Sequence, residues 1–278
     1  MQSNFLISNL FNGVKKRLIS YVSNNDKKAG LNWLKVKYLK HAPIGIKKSF
    51  RHNDHFIYYS QPSELLHTLR EIFGAEIYKV SLPSNPYIID CGANIGLSVI
   101  YFKEHFPTAE IVAFEPDENN FKLLDENVRS FGFSKVSLRK EAVWIENTTL
   151  SFSSDGSMGS KINLSQTSST IKVKAIRLKD LLNRHVDFLK IDIEGAEYEL
   201  LRDIKNELAN VDYLFLEYHG DFSQNNELTD IFNIVKDAGF NYYIKEAAEI
   251  YVSPFLAATS NKTTDFDVQL NIFCFRKK

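Results

Sequence analysis

A strand that runs through an acid into a glycine turn constrains the fold of this chain more than any other feature. Residues 87–96 read Tyr-Ile-Ile-Asp-Cys-Gly-Ala-Asn-Ile-Gly, and a helix is predicted to begin near Leu97. A strand, a glycine turn and a helix in this order open a βαβ unit, whose backbone N–H groups and helix N-terminus face a nucleotide. The candidate cofactor residues in this turn are Asp90, Gly92, Asn94 and Gly96.

The acid at the end of the strand indicates which kind of nucleotide is bound. In the dinucleotide fingerprint three glycines let the backbone hold a pyrophosphate, whereas the spacing here is Asp-x-Gly-x-Asn-x-Gly. A carboxylate at Asp90 would repel a pyrophosphate and attract a cation. S-adenosylmethionine has no phosphate and carries an ammonium and a sulfonium group. The turn therefore favours this cofactor over NAD.

A second acid follows the next predicted strand. The apolar run Glu110–Phe114 ends at Glu115-Pro116, and Glu115 lies 25 positions after Asp90. In a βαβ unit an acid at the end of the second strand reaches the ribose hydroxyls of a nucleotide. Either acid alone is also typical of a helix N-cap. Two acids at consecutive strand ends, together with the glycine turn, favour a cofactor site that includes Glu115 and Pro116.

Composition argues against several classes of protein. With 34 basic and 34 acidic residues, the chain has no net positive field for nucleic acid. Its 278 residues, 44% of them apolar, fit one large α/β domain with an N-terminal addition. Cys91 and Cys274 have no metal-ligand spacing and no disulfide framework. Because no apolar run approaches the ~20 residues of a membrane span and no signal peptide is recognisable, a cytoplasmic location is expected.

The chain is predicted to have two parts. Residues 1–80 read as a mainly helical extension, and residues 81–278 as the cofactor-binding domain. Near the start, four apolar residues recur at helical spacing beside basic residues. They are Leu6, Leu10, Val14 and Leu18. Such a helix can pack on the core, lie on a membrane surface or form a homodimer contact, and the pattern leaves these alternatives open.

From Tyr87 onwards, predicted strands alternate with helices, which indicates a parallel sheet with helices on both faces. The alternating apolar residues from Phe266 to Ile272 predict a final strand, which a loop at 253–265 would join to Asn241–Lys245 so that it runs antiparallel. A Ser/Thr-rich segment at 143–174, with short strands predicted at Thr148–Phe152 and Thr170–Lys174, is expected to form an insertion over the site. The other predicted strands are Tyr87–Asp90, Glu110–Glu115, Val136–Ala142, Phe188–Asp192, Tyr213–Tyr218 and Asn241–Lys245.

A second group of acids is predicted where a later buried strand ends. Residues 187–197 read Asp-Phe-Leu-Lys-Ile-Asp-Ile-Glu-Gly-Ala-Glu, and the next strand runs into Glu-Tyr-His-Gly at 217–220. Doubly wound sheets bind ligands at the carboxyl ends of such strands. The candidate catalytic residues are Asp192, Glu194, Glu217 and His219. Glu197 is expected only to complement the dipole of its helix.

Together these motifs resemble the FkbM family of S-adenosylmethionine-dependent methyltransferases. The resemblance spans residues 75–245 and rests on the turn at 90–96, Glu115-Pro116, Ser157–Ser160 and above all Lys190–Glu197. It implies a class I methyltransferase fold, which is Rossmann-like, with a seven-stranded and mostly parallel sheet whose last strand is antiparallel. It also implies O-methylation of a hydroxyl on a sugar, a glycan or a related natural product.

The cofactor residues receive specific roles within this resemblance. Asp90 is expected to hold the methionine ammonium through the loop, and Glu115 to bind the ribose diol. Glu141 and Ala142 would border the adenine. These assignments describe one S-adenosylmethionine molecule lying across the first strand ends.

The acceptor residues have two alternative roles. Asp192, Glu217 and His219 would hold the hydroxyl and remove its proton, since histidine titrates near neutral pH. Glu194 would orient this cluster or bind the substrate. Alternatively, two acids and the histidine would bind a divalent ion that holds the acceptor oxygens. The sequence leaves the metal undecided.

Two other classes of function also stay open. A nicotinamide-dependent oxidoreductase shares the acid after the second strand, although Asp90 and the missing first glycine argue against it. A non-catalytic module that binds the nucleoside would keep Asp90 and Glu115. It would have no need for the four ionisable residues at the later strand ends, so these favour an enzyme.

Overall fold

The computed structural model describes residues 23–153, 170–259 and 266–276. Within them the chain forms two compact units. The first contains residues up to 81 together with 95–105 and 123–132, and the second contains the remainder. The apolar pattern at Leu6–Leu18 and the motif segment Ser157–Ser160 lie outside the described residues.

The first unit combines short helices with a β-hairpin. Its helices include α1 (Asn24–Lys28), α2 (Trp33–His41), α3 (Pro62–Thr68), which continues as a π-helical segment to Gly74, and α4 (Leu97–His105). Strands β1 (Lys48–His52) and β2 (His55–Tyr59) pair antiparallel. The hairpin was not predicted for this mainly helical part. Its physical basis is local, because alternate residues of both strands are buried and Asn53 adopts the left-handed φ of 51° that the tight turn needs.

The second unit is built on a seven-stranded sheet. Its strands are β3 (Tyr87–Cys91), β4 (Glu110–Phe114), β5 (Val136–Arg139), β9 (Val186–Ile191), β10 (Val211–Gly220), β11 (Asn241–Glu246) and β12 (Val268–Phe275). The order across the sheet is β11-β12-β10-β9-β3-β4-β5. Adjacent strands within the run β10-β9-β3-β4-β5 pair in parallel, whereas β12 pairs antiparallel with both β10 and β11. This is the class I methyltransferase sheet, so the predicted fold class is confirmed.

A three-stranded sheet in the same unit corrects one prediction. It contains β6 (Ala142–Trp144), β7 (Thr148–Ser153) and β8 (Thr170–Arg177), in the order β6-β8-β7. The single strand predicted over 136–142 is wrong, because β5 ends at Arg139 and Ala142 already belongs to the other sheet. Strand β6 pairs in parallel with β8, with Ala142 opposite Ala175, so the chain leaves the seven-stranded sheet after Arg139.

The central strands explain why the acids converge. Strands β3 and β9 are buried at every residue, as expected for parallel strands covered on both faces. Helices α6 (Glu197–Ile204) and α7 (Glu227–Asp237) contribute buried apolar residues to the core around them. Helix α5 (Glu118–Ser130) follows β4. Because Cys91 and Leu216 both pair with Ile191, the chain leaves all three strands at the same edge.

No helix among the described residues is both long and apolar enough to cross a membrane.

Candidate active site

The turn after β3 packs directly against the turn after β9. Gly92 has a φ of +91°, and a Cβ atom there would lie 1.9 Å from the backbone oxygen of Asp192. This contact and the left-handed backbone both exclude an L side chain. Asp90 lies within β3 and is completely buried. The predicted cofactor turn and the predicted acceptor cluster are thus in backbone contact.

The buried side chain of Lys190 joins these two turns. Its Nζ lies 2.8 Å from the Gly92 carbonyl oxygen. The same atom lies 3.1 Å from Asp192 Oδ2 and 3.3 Å from Asp90 Oδ1. A buried ammonium needs such partners because removing an unpaired charge from water costs several kcal/mol. Sequence reasoning included Lys190 only as part of a motif, although a lysine inside an apolar strand is a signal for this bridge.

Glu115 closes the other side of the cofactor turn. Its carboxylate accepts hydrogen bonds from the backbone N–H of Asn94 at 2.9 Å and of Asp117 at 2.8 Å. Burial raises the pKa of Glu115 to about 7, although these hydrogen bonds oppose the shift. Asn94 has a left-handed φ of 48°, and its buried Oδ1 has no hydrogen-bond partner among the described residues. Pro116 follows Glu115 directly.

The other predicted cofactor residues have separate surroundings. The carboxylate of Glu141 forms ion pairs with Arg139 and Lys174. Burial by itself would raise the pKa of Glu141, but the two cations outweigh burial, and the pKa is lowered. Ala142 is buried at the start of β6. Gly96 belongs to the first unit, where a Cβ atom would lie 2.7 Å from Leu124 Cδ1.

Four ionisable side chains meet where β9 and β10 end. Asp192 and Glu194 follow β9, whereas Glu217 and His219 lie two residues apart on β10 and so share a face. Strand β10 extends beyond the predicted end at Tyr218 because its last residues pair with β12. The exposed fractions of the side chains are 26% for Asp192, 25% for Glu194, 14% for Glu217 and 1% for His219. A ligand therefore reaches Asp192 and Glu194 most readily.

Three carboxylates surround the ring of His219. Its Nδ1 lies 3.1 Å from Glu197 Oε1. Its Nε2 lies 3.6 Å from both Glu217 Oε1 and Glu194 Oε2. Burial lowers the pKa of His219, but the neighbouring carboxylates of Glu197 and Glu217 outweigh burial and raise the pKa to about 11. This raised pKa favours an imidazolium at neutral pH, whose charge would balance that of the acids.

The surrounding acids differ in how tightly they hold a proton. Burial raises the pKa of Glu194 to about 8, with repulsion by Asp192 adding to the shift and His219 opposing it. Burial also raises the pKa of Asp192 against the attraction of Lys190. For Glu217, burial raises the pKa, but the attraction of the nearby His219 ring outweighs burial, and the pKa is lowered. Glu194 is thus an accessible acid that changes its charge near physiological pH.

Residues 90–242, just over half of the chain, match the family described as the methyltransferase FkbM domain. The chain belongs to the FkbM methyltransferase family. The family prediction made from the sequence motifs is therefore confirmed, and the protein is a methyltransferase rather than a nicotinamide-dependent oxidoreductase.

Individual relatives are also named as methyltransferases. Methyltransferase 1 of Beauveria bassiana is 27% identical over 206 residues, which cover 61% of this chain and 82% of that protein. Methyltransferase sdnD of Sordaria araneosa is 30% identical over 176 residues, which cover 50% of this chain and 68% of that protein. The crystal structure of an FkbM methyltransferase from Methylobacillus flagellatus KT has a TM-score of 0.47 at 16% identity. That match covers 70% of this chain and 45% of the solved one.

Two further side chains of this FkbM methyltransferase touch the acidic cluster but were not among the predicted site residues. Gln269 of β12 lies opposite His219, and its Nε2 is 2.7 Å from Glu217 Oε1 and 3.1 Å from His219 Nε2. Glu197 is 1% exposed and contacts His219. Gln269 gave no local signal, because its contact depends on β12 lying beside β10. For Glu197 the signal was its place in the motif, which was attributed to the helix dipole.

The cluster also satisfies one geometric condition for a metal site. Asp192, Glu194 and His219 offer one ligand atom each, and these atoms all lie within 4.8 Å of one another. Two carboxylates and an imidazole are suitable ligands for a divalent cation such as Mn²⁺. Lys190 and protonated His219 already bring positive charge to the same carboxylates. The residues present therefore fit a divalent ion only if it displaces the proton from His219 Nε2.

Proposed function

We propose that this protein is an S-adenosylmethionine-dependent O-methyltransferase, and that the acceptor is a hydroxyl of a sugar, a glycan or a related natural product. The observation that carries the proposal is the contact between the Gly92 turn and Asp192, which joins a cofactor-type turn to accessible acids. Hydroxyl acceptors are poor nucleophiles and need a group that removes their proton. Asp192 and Glu194 supply carboxylates where such a hydroxyl would lie.

The second unit fits the cofactor in three respects. Gly92 has no side chain, the Oδ1 of Asn94 is buried without a protein partner among the described residues, and Glu115 stands at the end of β4. In the proposal, Asp90 acts on the methionine ammonium through its loop. Glu115 and Pro116 border the ribose. When bound, S-adenosylmethionine supplies an electrophilic methyl group for an in-line displacement.

The adenine is assigned to the start of the second sheet. Glu141 and Ala142 stand there, with the Glu141 carboxylate held between Arg139 and Lys174. Because these cations already neutralise the carboxylate, the proposal gives Glu141 a shaping role beside the base rather than a charged contact with it. We place the methyltransferase domain at residues 81–278, with residues 1–80 as its extension.

The proton of the acceptor hydroxyl is assigned to Glu194. His219 is 1% exposed, and its pKa of about 11 favours the protonated ring, which makes it a poor acceptor for the substrate proton at neutral pH. Glu194 is more exposed than His219, and its raised pKa of about 8 lets its carboxylate take up a proton near physiological pH. Asp192 accepts a hydrogen bond from the acceptor and orients it. Glu217 and His219 hold these groups in place by charge.

Calorimetric titration with S-adenosylmethionine, with NAD as the comparison ligand, tests the cofactor. Saturable binding of S-adenosylmethionine alone supports the proposal, whereas binding of NAD alone overturns it. Transfer of a radiolabelled methyl group to a panel of glycans then tests the acceptor, with matched panels of amines and carboxylic acids. Methylation confined to amines or carboxylic acids would reject hydroxyl specificity while leaving the methyltransferase assignment intact.

A further inference from the structure

Glu197 is buried to a degree that a helix-dipole role does not require. It is the first residue of α6 and is 1% exposed. Glu199 lies in the same first turn, yet its side chain is 49% exposed and pairs with Arg202 at 3.3 Å. Both acids complement the dipole equally well by position. A buried carboxylate is costly unless it is hydrogen-bonded, so the contacts of Glu197 must explain its burial.

The first set of contacts ties down the turn before α6. The carboxylate of Glu197 accepts hydrogen bonds from the backbone N–H of Ile193 at 3.2 Å and of Gly195 at 2.9 Å. Glu194 lies between these two residues and adopts a left-handed φ of 58°. A non-glycine residue in this conformation is strained and persists only where its surroundings hold it. Glu197 therefore holds the backbone that presents Glu194.

The second contact reaches across to β10. Oε1 of Glu197 lies 3.1 Å from Nδ1 of His219, and both side chains are 1% exposed. A carboxylate at one ring nitrogen keeps a proton on that nitrogen and fixes the orientation of the ring. The other nitrogen, Nε2, then faces Glu194 and Glu217. One carboxylate thus connects the turn after β9 with the end of β10.

We propose that Glu197 is a positioning residue, which fixes the Glu194 turn and the ring of His219 in a single arrangement. Its effect on catalysis rests on the proposed function, because Glu194 is the acid that takes the acceptor proton there. Its effect on His219 does not depend on any substrate. The two effects can therefore be measured separately.

The experiment compares E197Q with E199Q, a matched control at the exposed acid of the same helix turn. Nitrogen-15 NMR of the His219 ring, assigned with H219Q, reports which nitrogens carry protons and where the ring titrates. In E197Q we expect the ring to titrate lower by about one pH unit or more, equivalent to about tenfold in proton affinity. We also expect kcat to fall by about tenfold to a hundredfold, with the Kd for S-adenosylmethionine unchanged. E199Q should match the wild type in all three respects.

Two results would overturn the inference. One is an E197Q protein in which both the His219 titration and kcat match the wild type. The other is a lower Tm with unchanged kcat per folded molecule, which would reduce Glu197 to a structural helix cap. If E197Q does not fold, the wild-type spectrum still decides, because an Nδ1 without a proton at pH 7 contradicts the arrangement. The expected spectrum without any methyl transfer would instead reject the proposed function and leave the positioning of His219 standing.

Discussion

The ammonium group of Lys190 lies 2.8 Å from the carbonyl oxygen of Gly92. Lys190 belongs to β9, whereas Gly92 follows the neighbouring strand β3. The bond therefore couples the turn that we assign to the cofactor with the strand end that presents the acceptor acids. Asp90 and Asp192 flank the same ammonium at 3.3 Å and 3.1 Å. A single buried cation thus organises both halves of the site.

Removing this cation should be strongly destabilising. In K190M the fully buried Asp90 loses its positive partner, and breaking a buried pair in this way costs about 3–5 kcal/mol. The control is K179M, because Lys179 forms an ion pair with Glu207 at 3.0 Å that is partly exposed. Such a pair contributes about 0–1 kcal/mol. Urea denaturation measures the unfolding free energy of both variants. An equal loss of unfolding free energy in K190M and K179M would contradict a central role for Lys190.

Substitution of Gly92 should separate lack of space from backbone strain. In G92A the new Cβ would lie 1.9 Å from the Asp192 oxygen, so the two turns must move apart. Gly132 also has a positive φ, at +66°, but nothing lies within 4 Å of a Cβ there. We expect G132A to cost about 1 kcal/mol and G92A more than about 3 kcal/mol. We also expect calorimetry to show loss of S-adenosylmethionine binding in G92A alone; normal binding would rule out the turn as the cofactor site.

The pH dependence of the reaction should identify the proton acceptor. Glu194 has a raised pKa of about 8, so its ionised form, which can accept a proton, increases as the pH rises through that value. We expect kcat/KM to rise with pH through about 8, and E194Q to lose this rise. A profile that is flat near pH 8 and rises only towards pH 11 would instead transfer the role to His219, whose pKa is about 11.

The contacts of His219 should also make stability depend on pH. Its folded pKa of about 11 lies above the ordinary value of 6.5, so the folded protein holds the proton more tightly. This stabilisation is fully present below pH 6.5 and is lost as the pH rises towards 11. The difference in unfolding free energy between wild type and H219Q should therefore shrink from pH 6 to pH 10. A constant difference would show that packing, rather than charge, stabilises the ring, and H67Q at an exposed histidine should change little at either pH.

Methyl transfer should survive removal of divalent cations. Lys190 and the imidazolium of His219 already neutralise the carboxylates that a cation would need. Activity is measured after exhaustive chelation and after addition of Mn²⁺, and Mn²⁺ binding is followed by electron paramagnetic resonance. If chelation abolishes activity and Mn²⁺ restores it, the metal alternative replaces the Glu194 assignment. In that case D192N should weaken Mn²⁺ binding, whereas D212N, in the separate cluster His185, Asp187 and Asp212, should not.

Local patterns were sufficient for several parts of the fold. The strand, turn and helix at 87–97 depend on neighbouring residues and were predicted nearly to the residue. The antiparallel last strand followed from simple alternation after Phe266. The break between β5 and β6 was missed, because it depends on the pairing of β6 with β8, which lies far along the sequence.

The sequence by itself determined which acids stand at strand ends, because that depends only on the residues that follow each apolar run. It also determined the family, since the motifs are short and local. The tertiary structure alone decided that His219 is enclosed by carboxylates from α6, from the turn after β9 and from its own strand. It likewise brought Gln269 to Glu217 and Lys190 to Gly92. The physical reason is that protonation and pairing depend on which strands become neighbours, and the order of strands in a sheet is set by the packing of the whole domain.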